Sequence, residues 1–282
     1  RQQHYPNIEI IYLDNDSSDN TFNVAKNALG QSHIPYQIFS NPESKGISDN
    51  FNFLYQHSSG EYILPLSTDD WLTPDSIEEK INYFQHHPEF GMVYSSCYMF
   101  HYENQETEIC PKKHKFKEGW VLEELLKEYF VSTTGYVIKK STIEAVGTFD
   151  ENSPLEDWDM CIRIAEKFPI GRLNKELAYY GIKTGVNISS NYNYMLDGYD
   201  YIAKKYAHYD EIAETKKLIA LEKVYHYATY EPSFKTLLFI FKNCRLNFFY
   251  FKQAGKTILG ILQKALQPLP DDLLNRSDVY RY

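Results

Sequence analysis

Carboxylates gather at three points of the sequence, and each point follows or opens a patterned element. The first is Asp14-Asn15-Asp16-Ser17-Ser18-Asp19. Its Asp-x-Asp opening has the form of a calcium loop. That reading fails, because Asp19 stands where the loop needs Gly and Ala25 where it needs a bidentate Glu. Carboxylates just after a parallel strand can instead accept from a base N–H and a ribose hydroxyl; the competing explanation is a helix cap at Asp19 or Asn20. The second point is Asp69-Asp70. Adjacent carboxylates repel one another, which a divalent cation would offset. Mg2+ or Mn2+ takes one or two protein carboxylates and completes its shell with phosphate oxygens and water. Capping ahead of Pro74 competes with this reading. The third point is Glu156-Asp157-Trp158-Asp159 at a helix start, where the macrodipole favours negative charge but does not require three carboxylates. An Asp with an ordinary pKa near ~3.9 can take the proton of an attacking hydroxyl. Asp157 is the candidate base.

These clusters need elements to hold them. Residues 8–13 (IEIIYL) are apolar and β-branched and read as a strand, with a helix from Thr21. Residues 36–39 read as a strand, 47–57 as a helix and 61–66 (EYILPL) as a buried strand. A helix is expected over 75–86, with Pro74 near its first turn, where the missing N–H costs nothing. Strands are predicted at 91–100 and 135–139, helices at 120–130 and 156–168. The alternation predicts an α/β domain with a mostly parallel sheet. Ligands in such sheets sit beyond the carboxyl ends of the strands, where Asp14, Asn15, Asp69 and Asp70 fall. After about residue 190 only helices are expected. The predicted division is therefore an α/β domain over 1–190 and a helical extension over 191–282.

Composition narrows the function. A formal charge of -9 on 282 residues argues against a nucleic-acid binder, whose affinity rests on clustered Lys and Arg. Cys97, Cys110, Cys161 and Cys244 lie far apart in sequence with no C-x-x-C pair, so neither a disulfide framework nor a zinc site is indicated, and a cytoplasmic location fits. No apolar run reaches the ~18 residues of a membrane span, and residues 1–4 do not have the form of a signal peptide. No G-x-G-x-x-G follows a strand, which sets aside a dinucleotide dehydrogenase. The tail is different in kind. Residues 232–266 hold Lys235, Lys242, Arg245, Lys252, Lys256 and Lys264 and no acidic residue, interleaved with Phe234, Phe239, Phe241, Phe248, Phe249, Tyr250 and Phe251. Basic heads and aromatic faces in this pattern fit a helix lying on an anionic membrane surface; ordinary packing of an amphipathic helix on a core is the alternative.

Three stretches in order resemble family 2 glycosyltransferases, inverting enzymes with the GT-A fold. YPNIEIIYLDNDSSDNT is similar to the nucleotide-binding stretch of that family, and KGISDNFNFLYQHSSGEYILPLSTDDWLTPD to its glycine loop, helix and metal-binding DxD region. GYVIKKSTIEAVGTFDENSPLEDWDMCIRIAEKF is similar to its acceptor loop, base and following helix. The resemblance covers residues 1–190. It implies transfer of a sugar from a nucleotide diphosphate, expected to be UDP, to a hydroxyl of a glycan or lipid-linked acceptor in surface polysaccharide synthesis, with Mn2+ or Mg2+ as cofactor. By position, Asp14 and Asn15 would meet uracil and ribose, and Lys45, Gly46, Asn52 and Ser67 would contribute to the donor site. Asp69 and Asp70 would hold the metal, Asp157 would be the base, and Glu156 would stand beside it.

The chain departs from the family pattern at several points. Asn15 replaces a second Asp, Ser67 replaces the first Asp of the metal triplet and leaves Asp69 as main ligand, and Phe51 stands where an Arg often precedes Asn52. Lys183, in YYGIKTG, stands where many members have His. A protonated Lys cannot ligate a metal but can pair with a diphosphate, so Lys183 joins the donor-binding set. Family members also begin with a strand central to the sheet and a helix, and this sequence opens at what resembles the tail of that helix. The N-terminal strand is expected to be missing. The competing function is a non-catalytic nucleotide-sugar binding or assembly module.

Overall fold

The apolar runs form strands close to where the pattern predicts them, but the strands pair in a mixed way. In the computed structural model, which describes residues 2–110, 116–132, 134–183, 187–188, 191–230, 233–243, 254–259 and 261, the chain divides into two units, Arg1–Asn191 and Tyr192–Tyr282. In the first unit β1 (Ile10–Asp14) runs parallel to β2 (Tyr36–Ser40), with α1 (Thr21–Gly30) as the crossover. A second sheet holds β3 (Tyr62–Ile63), β7 (Val137–Lys139), β5 (Met92–His101), β8 (Ile170–Ile182) and β4 (Trp71–Leu72) in that spatial order, and β6 (Glu106–Ile109) also pairs with β5.

The expectation of a mostly parallel sheet is corrected here. Only β1 with β2 and β5 with β8 pair parallel; the β3, β4, β6 and β7 ladders are antiparallel. For β6 the physical reason is connection length. Parallel neighbours need a crossover of a dozen or more residues, whereas β6 returns on β5 through residues 102–105 alone. The strand expected over 61–66 shrinks to two residues, and Pro65, just beyond it, has no N–H to give a ladder. The longest strand, β8, is unmarked by period, because Asn174 and Lys175 are exposed in its middle and a register shift opposite Ser95–Cys97 breaks the alternation.

The core lies between the second sheet and its helices. Met92, Val93 and Tyr94 of β5 are fully buried, as are Ile138 of β7 and Ile170 of β8. On this layer packs α6 (Glu156–Ala165), burying Trp158, Met160, Cys161, Ile162 and Ile164. The Trp158 indole donates to the Leu125 carbonyl in α4 (Leu122–Lys127) at 2.8 Å, so the large ring is buried with its N–H satisfied.

Two features of this unit position the site. First, α2 (Ile47–His57) is tied to the loop that leads into α6. The Asn52 amide donates to the Phe149 carbonyl and its oxygen accepts the Phe149 N–H, both at 2.9 Å, while the Ser48 hydroxyl donates to the Asp150 carbonyl at 3.0 Å. Phe149 is buried, so loss of the Asn52 amide would leave two buried backbone groups unpaired, at about 1–3 kcal/mol each. Second, β1 and β3 do not bond to each other. Residues 10–12 and 62–65 both line one cavity of about 1500 Å³, as does Glu9. The Glu9 carboxylate accepts from the N–H groups of Ser59 (2.6 Å) and Gly60 (2.8 Å).

The second unit contains α7 (Tyr192–Lys205), α8 (Ile212–Tyr230) and α9 (Phe234–Asn243). Val224, Ile240 and Ala254 form a small core with Leu237 against it, while Phe234, Leu238, Ile258 and Leu259 are exposed. Arg245, Phe248, Phe249, Tyr250, Phe251, Lys252 and Lys264 of the basic aromatic pattern lie outside the described residues, as does Cys244. Among the described residues no helix is long and apolar enough to cross a membrane.

Candidate active site

Asp14 is the last residue of β1 and is 4 % exposed. Its Oδ2 accepts the Ser17 N–H at 3.0 Å as the chain turns, and its Oδ1 is buried with no hydrogen-bond partner among the described residues. A buried carboxylate oxygen without a donor is costly. It marks a place where a ligand donor would be accepted.

Asn15 is fully engaged. Its oxygen accepts from the Asn41 amide (2.8 Å) and the Lys45 N–H (2.9 Å), and its amide donates to the Lys45 carbonyl (3.0 Å) and the Ser44 hydroxyl (3.2 Å). An aspartate there would lose both donated bonds. Asn15 thus fastens the loop carrying Lys45 and Gly46 to the end of β1, and Asn41 extends the tie to Asn50 in α2 at 2.9 Å. Gly46 precedes α2 at a point where a Cβ would sit 2.8 Å from the Asp49 carboxylate. Asn52, expected at the donor, has its amide occupied by the Phe149 backbone and the Glu151 carboxylate (3.3 Å).

The Asp69-Asp70 pair occupies the turn between β3 and β4, closed by the bond from the Asp70 N–H to the Ser67 carbonyl at 3.2 Å. The two carboxylates differ. Asp70 Oδ1 accepts the Gly181 N–H at 2.9 Å and Oδ2 accepts the Thr134 hydroxyl at 3.0 Å. Burial pushes its pKa up to about 6, with Asp69 adding to the rise and the two donors opposing it. Asp69 is half-buried, and its carboxylate has no hydrogen bond among the described residues. Its backbone carbonyl accepts the Tyr102 hydroxyl at 3.2 Å, and the Lys183 ammonium lies 4.8 Å from the centre of that same ring. Gly181 is required at this point, because any Cβ would overlap the Asp69 carbonyl. The end of β8 therefore brings Gly181 and Lys183 to the acidic turn.

Asp157 lies in the first turn of α6, and its Oδ1 accepts the Trp158 N–H at 2.7 Å. The expectation of an ordinary pKa is corrected here. Burial raises Asp157 above the usual aspartate value, and the Trp158 N–H and Tyr129 hydroxyl oppose the rise. Burial first, and Asp157 second, push Glu156 up to about 8. The Tyr129 hydroxyl lies beside Asp157 but falls short of a well-formed hydrogen bond. Asp159 serves packing and pairing: fully buried, it accepts from Arg163 at 2.8 Å, and Arg163 in turn donates to the carbonyls of Val146, Gly147 and Thr148.

Thr134, Gly181, Tyr102 and Tyr129 carry no carboxylate and lie outside the three acidic clusters in sequence. A glycine within a strand, as at Gly181, signals close approach of another backbone. Gly135, at φ +74, marks the Thr134 turn in the same way. No comparable local signal points to Tyr102 or Tyr129.

The model of the family described as glycosyl transferase family 2 matches residues 1–145, just over half of the 282. The chain belongs to glycosyl transferase family 2. Among its relatives, EpsE of Bacillus subtilis (strain 168), a protein named as a glycosyltransferase, is 26% identical over 98 residues, 35% of each chain. The match thus spans about a third of that relative's length. Staphylococcus aureus TarS superimposes with a TM-score of 0.56 at 14% identity, covering 96% of this chain and 46% of that one. The mannosyltransferase PcManGT from Pyrobaculum calidifontis, solved with GDP-Man and Mn2+, gives 0.57 at 14% identity, covering 94% and 79%. At such identities the likeness shows the fold alone, which is GT-A.

Asp70 has a folded pKa of about 6, above the 3.8 of a free aspartate side chain. Its charge therefore disfavours the metal-free fold above pH 6, and this penalty disappears as pH falls through 6 toward 3.8. Asp70→Asn is expected to raise the melting temperature at pH 7.5 in the absence of divalent metal, and the gain should vanish near pH 4. Melting curves of both proteins across that range check it.

Proposed function

We propose that this chain is a metal-assisted inverting glycosyltransferase that moves a sugar from a nucleotide diphosphate, UDP being the expected carrier, to an acceptor hydroxyl. The observation that carries the reading is the partnerless buried Asp14 Oδ1 at the end of β1, on a fold that also presents Asp69 and Asp70 in one acidic turn. Asp14 would accept from the base, with the loop fastened by Asn15 closing over the donor. The donor set at the turn, two adjacent carboxylates, fits Mg2+ or Mn2+, which take oxygen ligands and need only one or two carboxylates from the protein when phosphate and water complete the shell. Asp69 would be the principal ligand and Asp70, fixed by Thr134 and Gly181, the second. The ion would neutralise charge on the departing diphosphate. Lys183, near Asp69, supplies a further positive charge to that group.

Asp157 would accept the proton from the acceptor hydroxyl as its oxygen attacks the anomeric carbon from the side opposite the diphosphate. Burial suits it to this task, since a base works best with a pKa nearer the working pH. Asp157→Asn is expected to lower turnover by at least ~10²-fold with donor affinity nearly unchanged. The acid limb of the wild-type pH–rate profile should lie above the ~3.9 of an ordinary aspartate. Steady-state kinetics with a panel of nucleotide sugars test both, and near-normal turnover in the variant would remove Asp157 from the role. A non-catalytic binding module would bind donor but show no turnover in any arm.

The exposed Phe234, Leu238, Ile258 and Leu259, with the basic residues interleaved among them in sequence, support contact with an anionic membrane surface and a glycan or lipid-linked acceptor in surface polysaccharide synthesis at the cytoplasmic face. Co-sedimentation with vesicles containing anionic lipid, at low salt, should recover the wild type in the pellet. A variant with Lys235, Lys242 and Lys256 changed to Glu should stay in the supernatant; a wild type that also stays there contradicts membrane contact.

A further inference from the structure

Cys97 and Cys110 are separated in sequence and brought together by the β5–β6 hairpin. The register pairs Tyr98 with Ile109, so the next residues outward, Cys97 and Cys110, stand directly opposite, and the Cys110 N–H donates to the Cys97 carbonyl at 3.0 Å. Directly opposed residues project their Cβ atoms on the same face about 4.5–5.5 Å apart, and opposed Cα atoms in either kind of antiparallel pair lie within the span that a disulfide bridges. The two side chains project from the same face of the hairpin, and both are free thiols. They differ in access. Cys97 is 5% exposed, while Cys110 is half-buried.

The pair is connected to the acidic turn. The Ser132 side chain lies beside the Cys97 sulfur and opposes the rise of its pKa, and two residues later Thr134 holds Asp70. Cys97 is opposite Ala178 in β8, and Ala178 is opposite Leu72 in β4. A Cβ on Gly135 would press on both Leu72 and Ala178, so the segment carrying Ser132 and Thr134 lies over this row of side chains.

We propose that Cys97 and Cys110 form a reversible, hydroperoxide-sensitive dithiol whose closure to a disulfide alters the hold of Ser132, and through it the segment that positions Asp70. The chemistry balances with a hydroperoxide as oxidant. The Cys110 thiolate attacks the peroxide oxygen, the O–O bond breaks, and Cys110 sulfenic acid and an alcohol or water form. The Cys97 sulfur then attacks the Cys110 sulfur, its proton leaves with the sulfenic oxygen as water, and the S–S bond forms. Two thiols lose two hydrogens and two electrons, and the peroxide is reduced by the same two electrons. Cys110 is suited to the first step, because it is the more exposed of the two and the Cys97 side chain beside it lowers its pKa, and Cys97 is placed to resolve it. Such a pair fits a reducing compartment, where disulfides are transient and sensing.

The test uses the full chain with Cys244→Ser, which leaves this pair and the buried Cys161. Treatment with hydrogen peroxide should lower the intact mass by two hydrogens, peptide mapping should link Cys97 to Cys110, and a dithiol reductant should reverse both. Hydrogen exchange of peptides covering 131–136 should quicken several-fold on oxidation. With Cys110→Ser added, peroxide should give neither the link nor the change in exchange. Absence of the link in the parent overturns the proposal, as does a link that leaves exchange over 131–136 unchanged or an exchange change that persists with Cys110→Ser. None of these readouts depends on glycosyl transfer.

Discussion

Carboxylates held partly out of water with no cation against them are the constraint on which the rest of this structure depends. Among the described residues, Asp14, Asp69, Asp70, Glu156 and Asp157 make no ion pair. A carboxylate loses solvation when buried and raises its pKa, which is the direction seen at Asp70, Glu156 and Asp157. Such groups persist only if the surrounding fold supplies donors or leaves a place for a ligand. Asp70 has two donors, from β8 and from the turn at Thr134. Asp14 has one, and its second oxygen has none. At Asp14 the imbalance falls at the end of a strand.

Neutral amides do the fastening around these charges. Asn15, Asn41 and Asn50 join the end of β1, the loop before α2 and α2 itself, and Asn52 joins α2 to the approach to α6. An amide both donates and accepts, so one side chain can satisfy a backbone N–H and a backbone C=O together without adding charge. The consequence is a relay of position from the first acidic cluster to the third. Asn15 and Asn52 therefore fasten loops to the elements beside them. Substitution of an aspartate at position 15 would add charge next to Asp14 and release the loop that carries Lys45.

Much of this was legible in sequence because carboxylates that exceed the needs of helix capping are uncommon and the strands ahead of them are plainly apolar. The starts of β1, β2 and β5 and the bounds of α2 fall within a residue or two of their expected places. What could not be read is what depends on distant partners. The polar middle of β8 hid the strand that carries Gly181 and Lys183 to Asp69. Thr134 acquires its role only when a residue 64 positions away comes within 3.0 Å of it. Cys97 and Cys110, without any local motif, meet through hairpin register alone. Burial, which sets the pKa of Asp157, is a property of packing and has no signature in residue type.

The central claim is that the acidic turn binds a nucleotide diphosphate through a divalent cation, with Asp69 as the principal ligand. Calorimetric titration of UDP and GDP into the full chain, with Mn2+ and with excess chelator, tests it most directly. The account predicts that at least one of the two diphosphates binds with Mn2+, that binding weakens by at least ~10-fold in chelator, corresponding to about 1.4 kcal/mol, and that Asp69→Ala abolishes the metal-dependent part. Equal affinity with and without the metal, unchanged by Asp69→Ala, would contradict it.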